Sequence, residues 1–105
     1  MIGNQPKLED LCITTGQDFV EYFGVKTGEQ FPDGTTLMLH ILSTDLSTLL
    51  GFWPAVLVEP GGAQFQIDAE VLDDIPTAAR YRIYVQFPEV APRLCWYRGS
   101  VWRKD

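Results

Sequence analysis

The 105-residue chain holds few groups able to do chemistry, and the first is its single histidine, His40. It sits in the apolar run Thr36-Leu37-Met38-Leu39-His40-Ile41-Leu42. As a general base or a ligand, an imidazole needs a nucleophile or further ligands held close to it. No motif places a serine or cysteine there, and a lone histidine makes no metal cluster. The plainer expectation is a strand histidine on the face opposite Leu39 and Ile41. Asp73-Asp74, with Asp68 and Glu70 upstream, is the densest acidic cluster. Calcium takes several oxygen ligands from one loop, yet this spacing fits no EF-hand, and neighbouring carboxylates on a strand point to opposite faces. A solvated turn is expected. A glycosidase needs two acids across one cleft, and nothing in the sequence supplies that. Pro60-Gly61-Gly62-Ala63 is too short to cradle a phosphate, lacks a following Gly-Lys-Ser/Thr, and reads as a hairpin turn. Cys12 and Cys95 are far apart with no CxxC spacing. Two buried free thiols are the first expectation, and a bridge between the ends of the domain is the alternative. No catalytic residue, cofactor or metal is assigned, and no enzyme is expected.

The C-terminal stretch Leu94-Cys95-Trp96-Tyr97-Arg98-Gly99-Ser100-Val101-Trp102-Arg103-Lys104 combines aromatic and basic side chains. Glycine first and serine second suit a tight two-residue hairpin turn at Gly99-Ser100. That turn would set Trp96 opposite Arg103 and Tyr97 opposite Trp102. Trp96, Arg98, Val101 and Arg103 would then share one face, and Cys95, Tyr97, Trp102 and Lys104 the other. One face goes to the core. The other presents a composition enriched at protein interfaces and sugar-binding faces. Trp96, Arg98, Trp102 and Arg103 are therefore the candidate interface residues. The alternative is that both faces are covered within the monomer, with Arg103 stacked on Trp96.

The elements that must position these residues read with a period of two. Arg80-Tyr81-Arg82-Ile83-Tyr84-Val85-Gln86 alternates, with Tyr81, Ile83 and Val85 on one face. That segment and 36–42 are the firmest strands. Leu37, Leu39, Ile41, Ile83 and Val85 are expected to share one core. Segments 8–14, 19–23, 55–59, 64–68, 94–98 and 101–103 are further strand candidates. Gly16-Gln17, Pro32-Asp33-Gly34 and Pro60-Gly61-Gly62 separate them as turns. The best helical candidate is Ser43 to Leu50, weakened by its Ser and Thr content. The expected architecture is all-β: a single antiparallel sandwich, immunoglobulin-like, of about seven or eight short strands. A flexible N-terminal arm is expected over residues 1–6, with the sandwich domain over 7–105.

Composition bounds the classes further. Hydrophobic residues make up 46% of the chain, enough for a core without disulfide or metal support. The net charge of −6 argues against nucleic acid as the main partner. No run of ~18 apolar residues is present to span a membrane, and no membrane partner is expected. Met1-Ile2-Gly3-Asn4-Gln5-Pro6 has no basic segment leading into an apolar stretch, so a secretory leader is not expected.

Two resemblances rest on particular residues. Val71-Leu72-Asp73-Asp74-Ile75-Pro76-Thr77-Ala78-Ala79-Arg80-Tyr81 resembles the turn into the sixth strand of immunoglobulin-like sandwiches, although the Cys…Trp…Cys spacing of antibody domains is missing. Tyr81 would be the structural corner, its ring in the core and its hydroxyl tied to the backbone of the preceding loop, 74–78. More broadly, Phe31-Pro32-Asp33-Gly34-Thr35, then the apolar strand, then Ile75-Pro76 with 80–85, then Trp96-Tyr97-Arg98-Gly99-Ser100-Val101, is similar to small β-sandwich virion proteins of actinobacteriophages, the LtfC-like family. The likeness covers nearly the whole chain. It implies a structural role in a phage particle, made in the host cytoplasm and placed in the virion, most directly as a minor tail component. The partners it implies are copies of the chain itself and larger tail or capsid proteins. Capsid decoration or a head–tail connector is the neighbouring alternative. From a different class, a carbohydrate- or cell-surface-binding module would use exposed tryptophans, for which Trp53, Trp96 and Trp102 are available.

Overall fold

Alternation along each strand decides which side chains meet the core. In the computed structural model, which describes residues 6–26, 28–88 and 93–104, nine strands and one short helix are formed. They are β1 (Lys7–Leu8), β2 (Leu11–Thr14), β3 (Phe19–Gly24), β4 (Thr36–Leu42), β5 (Leu49–Pro54), β6 (Leu57–Glu59), β7 (Gly62–Ile67), α1 (Ala69–Leu72), β8 (Ala79–Gln86) and β9 (Leu94–Lys104). A six-stranded sheet runs β5-β4-β8-β9, with β1 and β2 both alongside β9. A three-stranded sheet runs β3-β7-β6. The two sheets face each other as a β-sandwich.

Leu37, Leu39 and Ile41 of β4 and Tyr81, Ile83 and Val85 of β8 are all buried in one core, as expected from their spacing. They stand directly opposite one another, Leu37 to Val85, Leu39 to Ile83 and Ile41 to Tyr81. Phe23, Phe31, Phe65, Trp96 and Tyr97 fill one part of the core, with the Phe23 and Tyr97 ring centres 4.9 Å apart. The turns at Gly16-Gln17 and Pro32-Asp33-Gly34 are formed: Gln17 N–H donates to Thr14 O at 3.1 Å and Thr35 N–H to Pro32 O at 3.2 Å. Gly16 and Gly34 take the positive φ that each turn requires. Pro60-Gly61 closes the hairpin between β6 and β7.

Several expectations are corrected. Gly99-Ser100 is not a hairpin turn. β9 runs unbroken through it, with Gly99 opposite Tyr81 and Ser100 opposite Arg80. Glycine is needed there for close approach instead: a Cβ at 99 would collide with the Glu9 carbonyl and come within 3.2 Å of the Tyr81 ring. The sheet is not wholly antiparallel, because β1 and β2 run parallel to β9. Segment 43–50 is not helical. Asp45 accepts hydrogen bonds from the Ser43 and Ser47 hydroxyls, both at 2.7 Å, and from Ser47 N–H at 3.0 Å, so local side-chain bonding holds a turn leading into β5. At 55–59 only Leu57–Glu59 is strand. Ala55 N–H still bonds the first sheet at Leu37 O, while Val56 N–H bonds the second at Gln64 O, so the chain changes sheets there. Nor are both cysteines buried. Both are free, Cys12 is exposed and Cys95 half-buried. Cys12 pairs with Trp102 and Cys95 with Tyr84, towards opposite ends of β9, about 20 Å apart at the usual rise per strand residue and beyond reach of a disulfide. The arm expected over 1–6 has its first five residues outside the described ones.

Candidate interaction surface

A bulge decides how β9 presents its side chains. Ile83 pairs with Tyr97 but Tyr84 with Cys95, so Trp96 is the extra residue. A bulge turns adjacent side chains to the same side, and both Trp96 and Tyr97 are buried. Beyond it, Val101 is buried and Arg103 mostly so, while Arg98 and Trp102 are exposed. The face expected to unite Trp96, Arg98, Val101 and Arg103 is therefore not formed. Trp96 belongs to the aromatic core, its ring centre 5.2 Å from that of Phe31.

Arg103 does work that the sequence suggested for Tyr81. Its guanidinium donates to Leu72 O at 2.7 Å, to Ile75 O, and to the Thr15 hydroxyl at 3.2 Å, and it lies 3.7 Å from an Asp73 oxygen. The same Asp73 oxygen accepts Gly16 N–H at 3.2 Å. One planar fork thus pins the loop between α1 and β8, together with the turn after β2. Tyr81 is fully buried, but its hydroxyl donates to Glu9 O at 2.5 Å rather than to residues 74–78. Burial, then the negative charges of Glu9 and Glu21, push its pKa far up and keep it a donor. The signal missed was a long-range one: nothing local tells Tyr81 that the N-terminal strand passes over Gly99.

The outward face of the six-stranded sheet holds the exposed functional candidates. Phe52, His40, Arg82 and Arg98 form one row across β5, β4, β8 and β9, each directly opposite the next. Arg80, Arg82 and Arg98 also line a cleft of about 240 Å³ with Leu8, Leu46 and Gly99. Two like charges opposed across a strand pair repel. Arg82 donates to the Tyr84 hydroxyl at 3.4 Å and Arg80 to the Ser100 hydroxyl at 2.9 Å. No carboxylate belongs to the strands of this sheet. Asp10, beside it, accepts from Ser100 N–H and from the Trp102 indole, both at 3.1 Å.

His40 sits on this outward face, as expected, opposite in direction to Leu39 and Ile41. It helps line a groove of about 410 Å³ with Met38, Leu49, Phe52, Tyr84 and Arg93. Its ring is edge-on to Tyr84 at 5.0 Å, and burial, then the Arg93 charge, lowers its pKa below the ordinary histidine value. No carboxylate or thiol lines that groove among the described residues. Asp68 lies at the N-terminus of α1 without capping it, and the first helical N–H, of Ala69, is taken by Asp18 at 2.7 Å. Among the described residues, no group of three or more His, Cys, Asp or Glu could hold a metal ion. Of the three tryptophans, only Trp102 is substantially exposed; Trp53 is half-buried against the core and Trp96 buried.

A family model described as LtfC-like, beta-sandwich domain matches residues 5–104. The chain belongs to that family. The match spans both sheets, so the whole sandwich of this LtfC-like domain, rather than one motif in it, carries the relationship. A search of curated proteins finds no match. No helix among the described residues of the LtfC-like domain is long and apolar enough to cross a membrane.

Proposed function

We propose that this LtfC-like domain is a non-enzymatic structural protein of a phage virion, most directly a minor tail component that assembles with copies of itself or with larger tail proteins. The observation that carries the proposal is membership of the LtfC-like β-sandwich family over residues 5–104, which fits a phage-associated structural module. The side chains support an interaction role. The groups that could do chemistry are engaged in holding the fold, as Asp73 and Arg103 are, or stand among rings, as His40 does. What the domain offers outward is the row Phe52, His40, Arg82, Arg98, with Trp102 beside it: aromatic and arginine side chains of the kind that dominate protein contacts. Arg98 and Trp102 are the interface residues retained from the sequence; Trp96 and Arg103 serve the monomer. A sugar platform built on three tryptophans loses its basis, since Trp96 is buried and Trp53 half-buried.

The test is mass spectrometry of banded virions from a lysate, paired with labelled antibody and electron microscopy. The chain is expected in the particle fraction at fixed stoichiometry, with label on the tail. Recovery only among free lysate proteins overturns the virion role. Label on the head moves the protein to the capsid or connector position and overturns the tail assignment.

A further inference from the structure

β5 and β6 are the outer strands of the two sheets, and only Ala55-Val56 separates them in the chain. Both sheets therefore end on the same flank. From Leu46 to Val58 that flank carries no charged residue, in a chain of net charge −6. Leu49, Leu50, Phe52, Val56, Leu57 and Val58 are each more than a third exposed along it, with Phe52 at 58% and Val56 at 59%. Exposed apolar side chains scattered singly need no explanation, but a contiguous patch does. Sheet edges are ordinarily guarded by charge, proline or a bulge. Here β3 carries Glu21, β1 carries Lys7 with Glu9 and Asp10 following, and β6 ends on Glu59; β5 carries no charge, and its one proline, Pro54, stands at its last position. Among the described residues, no strand pairs with its outer side.

We infer that this flank is a self-association surface, at which β5 of one copy pairs antiparallel with β5 of a second copy across a two-fold axis. The occupant follows from charge. Two chains of the same negative sign repel wherever carboxylates meet, and this strip lets them approach without bringing any together. A two-fold pairing sets the strand against itself, and an uncharged apolar strand is complementary to its own copy. Six side chains exposed to this degree offer at most roughly 500 Å² per copy, so full coverage brings the contact to the lower limit of about 1,000 Å² for a specific interface. The pairing would join the six-stranded sheets of the two copies into one. It deepens the assembly role proposed above, by naming the surface used between like copies.

Sedimentation and light scattering of the full chain over a wide concentration range test it, with Phe52→Lys, Phe52→Glu and Val56→Lys. Phe52 and Val56 point into solvent, so thermal melts of the variants are expected to show the monomer fold intact; if a Phe52 variant fails to fold, Val56→Lys carries the test. The wild type is expected to form a dimer that dissociates on dilution. Each charged variant alone is expected to weaken it roughly a hundredfold, because a like charge is set against its own copy. An equimolar mixture of the Lys and Glu variants at position 52 is expected to restore the dimer. A wild type monomeric at every concentration overturns the inference, as does a charged variant that associates as well as wild type. Pairing of this flank with a different virion protein alone, seen as amide protection of 49–58 only in particles, also overturns it. The virion role stands or falls separately: a dimer absent from particles defeats that role alone, and a monomer present in particles defeats only the pairing.

Discussion

Trp96 and Trp102 belong to one strand, as do Arg98 and Arg103, yet the members of each pair live in different surroundings. Trp96 is 8% exposed and touches Phe23, Phe31 and Tyr97; Trp102 is 45% exposed and donates its indole N–H to Asp10. Arg103 spends its guanidinium on backbone carbonyls inside the domain, whereas Arg98 stands on the outer face directly opposite Arg82. Residue type alone therefore says little about whether an aromatic or arginine serves folding or contact. The bulge at Trp96 sorts the tryptophans, turning inward a ring that alternation alone would put on the face of Trp102; the arginines, both beyond the bulge and five residues apart, are sorted by alternation through an unbroken strand.

The largest effect should come from the inner tryptophan. Trp96→Ala empties part of the aromatic core and is expected to cost about 3–5 kcal/mol in urea melts. Trp102→Ala removes a half-exposed ring and one exposed hydrogen bond, and should cost about 1 kcal/mol or less. Equal losses at the two sites would show that β9 does not have the inside and outside described.

The arginine pair comes next. Arg103→Ala takes the guanidinium donor from the Ile75 carbonyl and from the Leu72 carbonyl, which keeps only Ile75 N–H, and a loss of about 2–3 kcal/mol is expected. Arg103→Lys should recover only part of it: one ammonium can donate to the two carbonyls that Nη2 serves, but it has no second nitrogen for the Thr15 hydroxyl and Asp73. Arg98→Ala should stay within about 0.5 kcal/mol of wild type, and relief of the repulsion from Arg82 favours the stabilising side. Chemical denaturation of the three variants side by side checks the ordering.

How far these differences could be read in advance varies with their range along the chain. The period-two segments 36–42 and 80–86 showed their core faces directly, because alternation is a local property and Leu37, Leu39, Ile41, Ile83 and Val85 obey it. Gly99 misled for a physical reason: glycine in a turn and glycine under a crossing backbone look identical in sequence, and only the parallel approach of Glu9 tells them apart. The same crossing took the Tyr81 hydroxyl away from its own loop and left Arg103 to hold it. β5 stayed hidden because Leu49–Pro54 shows no alternation of apolar with polar residues, and glycine and proline do not favour strands. Gly51 makes room for the Trp53 ring, which would lie 2.6 Å from a Cβ placed there.

The smallest effect concerns His40, and it separates the outer face from open solvent. Burial, then the Arg93 charge, lowers its pKa, so the folded protein releases the imidazole proton more readily than the unfolded chain does. The sign follows from that. The neutral ring's contribution is fully present above the ordinary histidine value of about 6.5 and is lost as pH falls through the lowered folded value. Stability should therefore decline slightly as pH falls below the ordinary histidine value of about 6.5, and His40→Gln should flatten that part of the profile. With one histidine in the chain, a proton NMR titration reads its pKa without assignment. A value at or above the ordinary one would mean that the Tyr84 and Phe52 rings do not shelter it. The titration also bears on the β5 flank. Phe52 lies 6.1 Å from the imidazole, ring centre to ring centre, so a second copy docked against β5 would exclude more water there. The pKa should then fall further as protein concentration rises, and should stop doing so in Phe52→Lys.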